Sequence, residues 1–171
     1  MIELRPGDPR YPALLGAIPS APALFVRGEL HTDDALAVAI VGSRRATPYG
    51  IAAAERLASD LAARGVTIVS GLARGIDTAA HRSALAAGGR TLAVLGCGVD
   101  VVYPPENGPL VRAIESHGAI LSQFPPGMPA LAGHFPARNH AGRAGARRRR
   151  RRGRRAQRRP HHGGIRRRSR P

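Results

Sequence analysis

The chain has 171 residues and a formal net charge of +16, with 27 basic residues, all of them arginine, against 11 acids. This length supports one domain with a core of ordinary size and excludes two large independent ones. A single cysteine, Cys97, excludes an internal disulfide framework, a four-cysteine zinc site and a CxxC redox pair.

Residues 1–37 contain Pro6, Pro9, Pro12, Pro19 and Pro22, which argues against long helices and marks a lead-in segment with one short strand at 23–27. From Leu36 a regular pattern begins: a short Val- and Ile-rich run, a glycine-bearing turn, then helical spacing. The first unit is a strand at 37–41, a turn at 42–50, and a helix whose Ile51, Ala54, Leu57, Ala58 and Leu61 share one face. A strand at 66–69, a turn at 70–75 and a helix at 76–87 follow, the helix ending at Gly88-Gly89. A third strand at 91–95 runs into Gly96-Cys97-Gly98, and a helix at about 109–117 leads to a strand at 119–122. Strands alternating with helices of this length predict an α/β, Rossmann-like parallel sheet with helices on both faces.

Pro125, Pro126, Pro129 and Pro136 stop regular structure, and beyond Asn139 the composition changes. Residues 1–139 hold 12 arginines and 11 acids, whereas residues 140–171 hold 15 arginines, no acid and one strongly apolar residue, Ile165. The excess charge belongs to this tail, which buries too little surface to offset its ordering entropy and is expected to be disordered. The expected organisation is a lead-in at 1–37, a partial Rossmann-like domain at 38–139 and a basic tail at 140–171. No apolar stretch approaches the roughly 18 residues that cross a bilayer. The opening MIELRPGDPRYP also lacks a basic region followed by an apolar block, so a cytoplasmic protein with no membrane partner is expected.

The glycine turns fall at strand carboxyl ends, where a doubly wound sheet places its ligand. Gly42-Ser43-Arg44 follows one strand, Gly71-Leu72-Ala73-Arg74-Gly75 the next, and Gly96-Cys97-Gly98 the third. Glycine lets backbone approach an anion, amide donors and a helix N-terminus favour negative charge, and Arg44 and Arg74 can add bidentate hydrogen bonds to phosphate. Glycines punctuate every α/β fold and surface arginine is often merely solvated, but successive turns of this kind favour a phosphate-binding rim. Neither GxGxxG with a downstream acid nor GxxxxGK[ST] occurs, so no cofactor is expected. Asp77 and His81 read as a capping carboxylate and a packing imidazole rather than a catalytic pair. His117, His134 and His140 show no metal-ligand spacing with a carboxylate, and Cys97 reads as inert packing. Tyr49, Tyr103, Phe124 and Phe135 fall in or near turns where a nucleobase could stack, with core packing the better reading for the two phenylalanines.

Read as strings, VAIVGSRRATPYG (38–50), SGLARGIDTAAH (70–81), GGRTLAVLGCG (88–98), VVYPPEN (101–107), LSQFPPG (121–127) and FPARN (135–139) resemble, in order and spacing, the DprA/Smf family of DNA-processing proteins. PRYPALL and PALFVRG resemble that family's lead-in, and the likeness covers about residues 9–139. It implies a non-catalytic protein of natural transformation that binds incoming single-stranded DNA, shields it and helps load RecA onto it. On that resemblance Gly42, Ser43, Arg44, Gly71, Arg74 and Gly75 belong to the basic pocket that grips the strand, and Asn107, Arg138 and Asn139 match motifs on the same rim. Phosphate contacts with base stacking would make binding sequence-independent and salt-sensitive. The resemblance implies RecA and a second copy of the chain as partners, through surfaces largely in the later part of the family's domain.

The family continues after FPxRN with an apolar helix, a Val-rich strand and further βα units that do not follow here, and it commonly has an N-terminal helical module. Gln123 stands where the family usually has Glu, and Gly133-His134 precedes FPARN unusually. With suitable arginine codons from residue 150 to residue 164, dropping one base reads VVEAAERSGALITA, which resembles the family beyond its Val-rich strand. Residues from about 140 are therefore expected to be a frameshift product, the rival reading being a genuine basic arm for nucleic acid. Loss of the later strands is expected to expose a sheet edge and lower stability. The alternative function is a nucleotide-processing enzyme such as a phosphoribohydrolase, although the PGGxGTxxE-type loop of those Rossmann-like proteins is not found. A third reading has only the tail binding nucleic acid, nonspecifically.

Overall fold

The computed structural model describes residues 1–18 and 20–134. Its strands are β1 (Ile2–Leu4), β2 (Leu24–Gly28), β3 (Ala37–Ala39), β4 (Thr67–Ser70), β5 (Thr91–Leu95) and β6 (Gly118–Ser122). Its helices are α1 (Ala13–Gly16), α2 (Pro48–Ala62), α3 (Ile76–Ala86) and α4 (Gly108–His117), with single 3₁₀ turns at Thr32–Ala35 and Pro105–Asn107. The strands form one sheet in the order β1-β2-β6-β5-β4-β3.

The α/β class is as the alternating pattern predicts, and the sheet is mixed. β3 to β6 pair parallel through βαβ crossovers, while the lead-in adds β2 antiparallel to β6 and β1 antiparallel to β2. Every residue of β4 and β6 is buried, as expected of parallel strands covered on both faces.

The two faces are covered unequally. Ile68, Ala93, Leu95 and Ile120 point to the face covered by α2, α3 and α4, where Ala58 and Ala62 of α2 meet Ala80 and Ala84 of α3. Val69, Leu92, Ala119 and Leu121 point to the other face, covered by Leu15 of α1 and by Tyr11. A cavity of about 370 Å³ remains there, between the sheet and the lead-in. The lead-in is tied down by a fork of hydrogen bonds from Arg90 to Asp34, Nε to Oδ1 at 2.7 Å and Nη2 to Oδ2 at 2.9 Å.

α2 begins three residues before Ile51, because Thr47 caps it through Oγ1, which accepts from Gly50 N at 3.1 Å, and Pro48 occupies its first turn. His81 is fully buried and hydrogen bonds through Nδ1 to Thr91 Oγ1 at 2.7 Å. That hydroxyl donates to Ile68 O at 2.8 Å, so the proton lies on Nδ1 and the imidazole staples α3 to the sheet. No described helix is long and apolar enough to cross a membrane. The expectations for Phe135, Arg138, Asn139, His140 and the arginine-rich tail concern residues outside those described.

Candidate nucleic-acid interface

β3 and β4 are neighbours, so the turns that leave their carboxyl ends lie side by side. Gly75, at φ +75°, makes their contact possible: a Cβ there would sit 2.3 Å from Ser43 O. Directly beyond it, Ile76 N donates to the same carbonyl at 3.3 Å. Gly42 lies on the Ile76 side chain, leaving no room for a Cβ, which would be 2.6 Å from Ile76 Cγ1. The glycines bring Ser43 and Arg44 against the second turn.

Buried polar side chains hold that second turn from behind. Asp77, 4% exposed, accepts from Gly71 N at 3.1 Å and Ala73 N at 3.4 Å, so its carboxylate reaches back into the loop. Thr78 Oγ1 donates to Ala73 O at 2.7 Å. Asn107, 2% exposed, donates through Nδ2 to Leu72 O at 3.0 Å and to Thr78 Oγ1 at 2.9 Å. Between these anchors Leu72 is held at φ +61°, a conformation that a bulky side chain keeps only when its surroundings impose it.

Arg44, Gly71, Ala73 and Arg74 line one pocket with Leu95, Gly96, Cys97, Tyr103 and Pro104. Its volume is about 30 Å³, room for a single small group and far short of the several hundred Å³ that enclose a whole nucleotide-sized ligand. Of the residues singled out in the sequence, Arg44, Gly71 and Arg74 meet at this pocket, and Gly42, Ser43 and Gly75 form the joint beside it. Asn107 lies behind the loop, with its amide directed inward. Arg138 and Asn139 lie outside the described residues. Tyr103, 41% exposed, lines the pocket, whereas Tyr49, 84% exposed, lies in the first turn of α2. Cys97 is buried, and its thiol donates to Val101 O at 3.3 Å.

The third glycine turn joins the same rim. Phe124 and His134 stack with ring centroids 4.0 Å apart, and His134 Nδ1 hydrogen bonds to Gly96 O at 3.2 Å. Gly96 is a lining residue of the pocket, so this bond ties the half-buried Phe124–His134 stack to the third turn.

One residue at the site was not singled out in the sequence. The Arg74 Nε donates to the Glu106 carboxylate, and both side chains are more than half exposed. Hydrogen bonding and then charge from Arg74 hold the Glu106 carboxyl below its ordinary range, and Glu106 raises the Arg74 guanidinium in the same way. The signal available was position: Glu106 immediately precedes Asn107 in YPPEN.

Two arginine-bearing glycine turns at the carboxyl ends of adjacent parallel strands, in a sequence without a dinucleotide fingerprint, mark a Rossmann-like α/β protein with a candidate anion site. The chain belongs to the DNA recombination-mediator protein A family, whose model matches residues 3–145. It is 46% identical over 141 residues to protein Smf of Synechocystis sp., a match covering 80% of this chain and 35% of that one. It is 45% identical over 133 residues to DNA processing protein DprA of Streptococcus pneumoniae, covering 77% of this chain and 47% of that one. The structure is similar to the X-ray structure of the S. pneumoniae protein, with a TM-score of 0.76 and 41% identity over 85% of this chain and 51% of that one. It is also similar to DNA processing protein A from Helicobacter pylori, described for its single-stranded DNA binding mode. There the TM-score is 0.73 and the identity 32%, over 85% of this chain and 65% of that one. The chain thus spans between about a third and a half of the length of these two curated relatives.

Proposed function

We propose that this chain carries the strand-gripping part of a DprA-type single-stranded DNA-binding protein, with residues 38–139 as the gripping domain. The observation that carries the reading is the convergence of Arg44 and Arg74 on one pocket, at turns locked together through Gly75 and Ser43 O. Guanidinium groups and loop amides would hold successive phosphates, and Tyr103 and the Phe124–His134 pair offer flat surfaces that any base can meet. Binding is therefore sequence-independent and dominated by phosphate.

On this reading the protein is a cytoplasmic, non-catalytic binder that shields incoming single strands during DNA uptake. RecA loading and self-association belong to the same proposal, on the family resemblance alone. The small pocket favours it over the phosphoribohydrolase alternative, which must enclose a whole nucleotide.

The test is fluorescence anisotropy of labelled oligothymidylate across a salt series, with the full chain, Arg44→Ala, Arg74→Ala and the double variant. Each lost phosphate contact should flatten the slope of log K against log salt by about 0.7. The double variant should therefore lose about 1.4. A chain ending at residue 139 separates the pocket from the basic tail, because pocket binding survives that deletion and tail binding vanishes. Unchanged affinity and slope in the double variant of the shortened chain, or release of free base from nucleoside monophosphates without DNA retention, would overturn the reading.

A further inference from the structure

We propose that Glu106 is a built-in counter-ion for Arg74, and that a strand phosphate takes its place on binding. This rests on the DNA-binding reading of the pocket and adds a residue that sets how tightly, and with what salt dependence, the site holds a polyanion.

The placement of Glu106 is fixed by its neighbour. Asn107 is anchored under the second turn by its bonds to Leu72 O and Thr78 Oγ1, so the backbone of residue 106 is tied to the loop that carries Arg74. Wherever that loop goes, the carboxylate follows. The other acids nearby are engaged elsewhere: Asp77 is buried on Gly71 N and Ala73 N, and Asp100 accepts from Gly127 N at 2.8 and 3.0 Å. Among the described residues, no acid lines the pocket itself. Glu106 is therefore the carboxylate that cancels charge where a phosphate would arrive.

The pair is also built to exchange. Side-chain exposures of 62% for Arg74 and 51% for Glu106 leave it open to a competing anion, and exposed ion pairs are weak. A phosphate brings full negative charge and can use the guanidinium fork, so it displaces the carboxylate at a cost of about two- to fivefold in affinity. Each charge favours the ionised form of the other, as an opposed pair in contact requires. If Glu106 instead merely oriented Arg74, its loss would loosen the guanidinium and weaken binding, so the two roles predict opposite signs.

The experiment compares the full chain with Glu106→Gln, Arg74→Ala and the double variant, by anisotropy of labelled oligothymidylate from low to physiological salt. The arginines beyond residue 139 are common to all four proteins. Glu106→Gln should bind about two- to fivefold tighter at low salt and steepen the slope by a fraction of the roughly 0.7 that one phosphate contact carries, and the gain should disappear when Arg74 is alanine. An unchanged thermal midpoint confirms that the fold is intact, and the salt slope is a readout that a merely structural residue would not move. Weaker or equal binding by Glu106→Gln, an unchanged slope, or a gain that persists without Arg74 would overturn the inference while leaving the pocket assignment standing. Unchanged binding by Arg74→Ala would instead remove the pocket assignment, and this inference with it.

Discussion

The turn after β3 and the turn after β4 each offer an arginine to the same pocket, and they are held by different means. The second is fixed from behind by buried side chains, with Asp77 on its amides and Asn107 and Thr78 on its carbonyls. The first rests on the second, through the contact of Gly75 with Ser43 O and of Gly42 with Ile76. Its own side-chain bond, from Arg45 N to Ser43 Oγ at 3.0 Å, lies on the exposed surface. Position therefore passes from the second turn to the first, and damage should spread in that direction only.

The largest effect should come from Gly75→Ala, which attacks the joint itself. A Cβ would meet the Ser43 carbonyl at 2.3 Å, on a residue at φ +75° and ψ −124° where only glycine is at ease. The strain and displacement should cost about 2–4 kcal/mol. That should lower the thermal midpoint, followed by circular dichroism, by about 10 °C. DNA binding should fall with it, and an unchanged midpoint would mean that the turns do not depend on each other.

Asp77→Ala comes next, because it leaves two loop amides without their acceptor, at about 1–3 kcal/mol. Asp77→Asn should lie between the two, since its amide oxygen can still accept. Asn107→Ala should cost about 1–2 kcal/mol and weaken DNA binding although its side chain lies behind the loop. Ser43→Ala, on the first turn, should stay within about 0.5 kcal/mol. Equal damage from Ser43→Ala and Asp77→Ala in urea unfolding would abolish the asymmetry between the turns.

Much of the scaffold was legible because burial and periodicity leave marks that one sequence shows. β5 falls on residues 91–95 as expected, and α3 ends within one residue of its predicted end, since the short apolar run TLAVL and Gly88-Gly89 mark their limits. β1 has no such mark: three residues followed by Arg5-Pro6 are too short to display alternation, and the strand exists because β2 offers it an edge. α2 starts inside the span 42–50 that glycines mark as a turn, because apolar periodicity begins only at Ile51, whereas a threonine before a proline is the signature of a cap and first turn.

At the site, the arginines and glycines were legible and the buried network was not. Asn107 sits in a motif that matches a rim, but only the fold shows that its amide points inward. Glu106 carries no mark of a phosphate site in the sequence, where an acid contradicts the pattern when residues are read one at a time. Its meaning depends on Arg74, 32 positions away in the chain.

The smallest effect is the most selective test of that pair. Arg74 holds the Glu106 carboxyl below the ordinary glutamate value of 4.5, so any stability the pair contributes is present above that value and is lost as pH falls through the lowered one. Both partners are exposed to screening, so Glu106→Gln and the parent chain should melt together at neutral pH. DNA affinity should separate them instead. Thymine does not protonate in the acid range, and Arg74, the ion-pair partner of Glu106, stays ionised throughout. The advantage of the Gln variant for oligothymidylate should therefore hold constant through neutral pH. It should shrink toward none as pH falls through the glutamate range, because a protonated Glu106 is as neutral as the glutamine. An advantage that survives at acid pH would show that the variant acts through something other than the charge of this carboxylate.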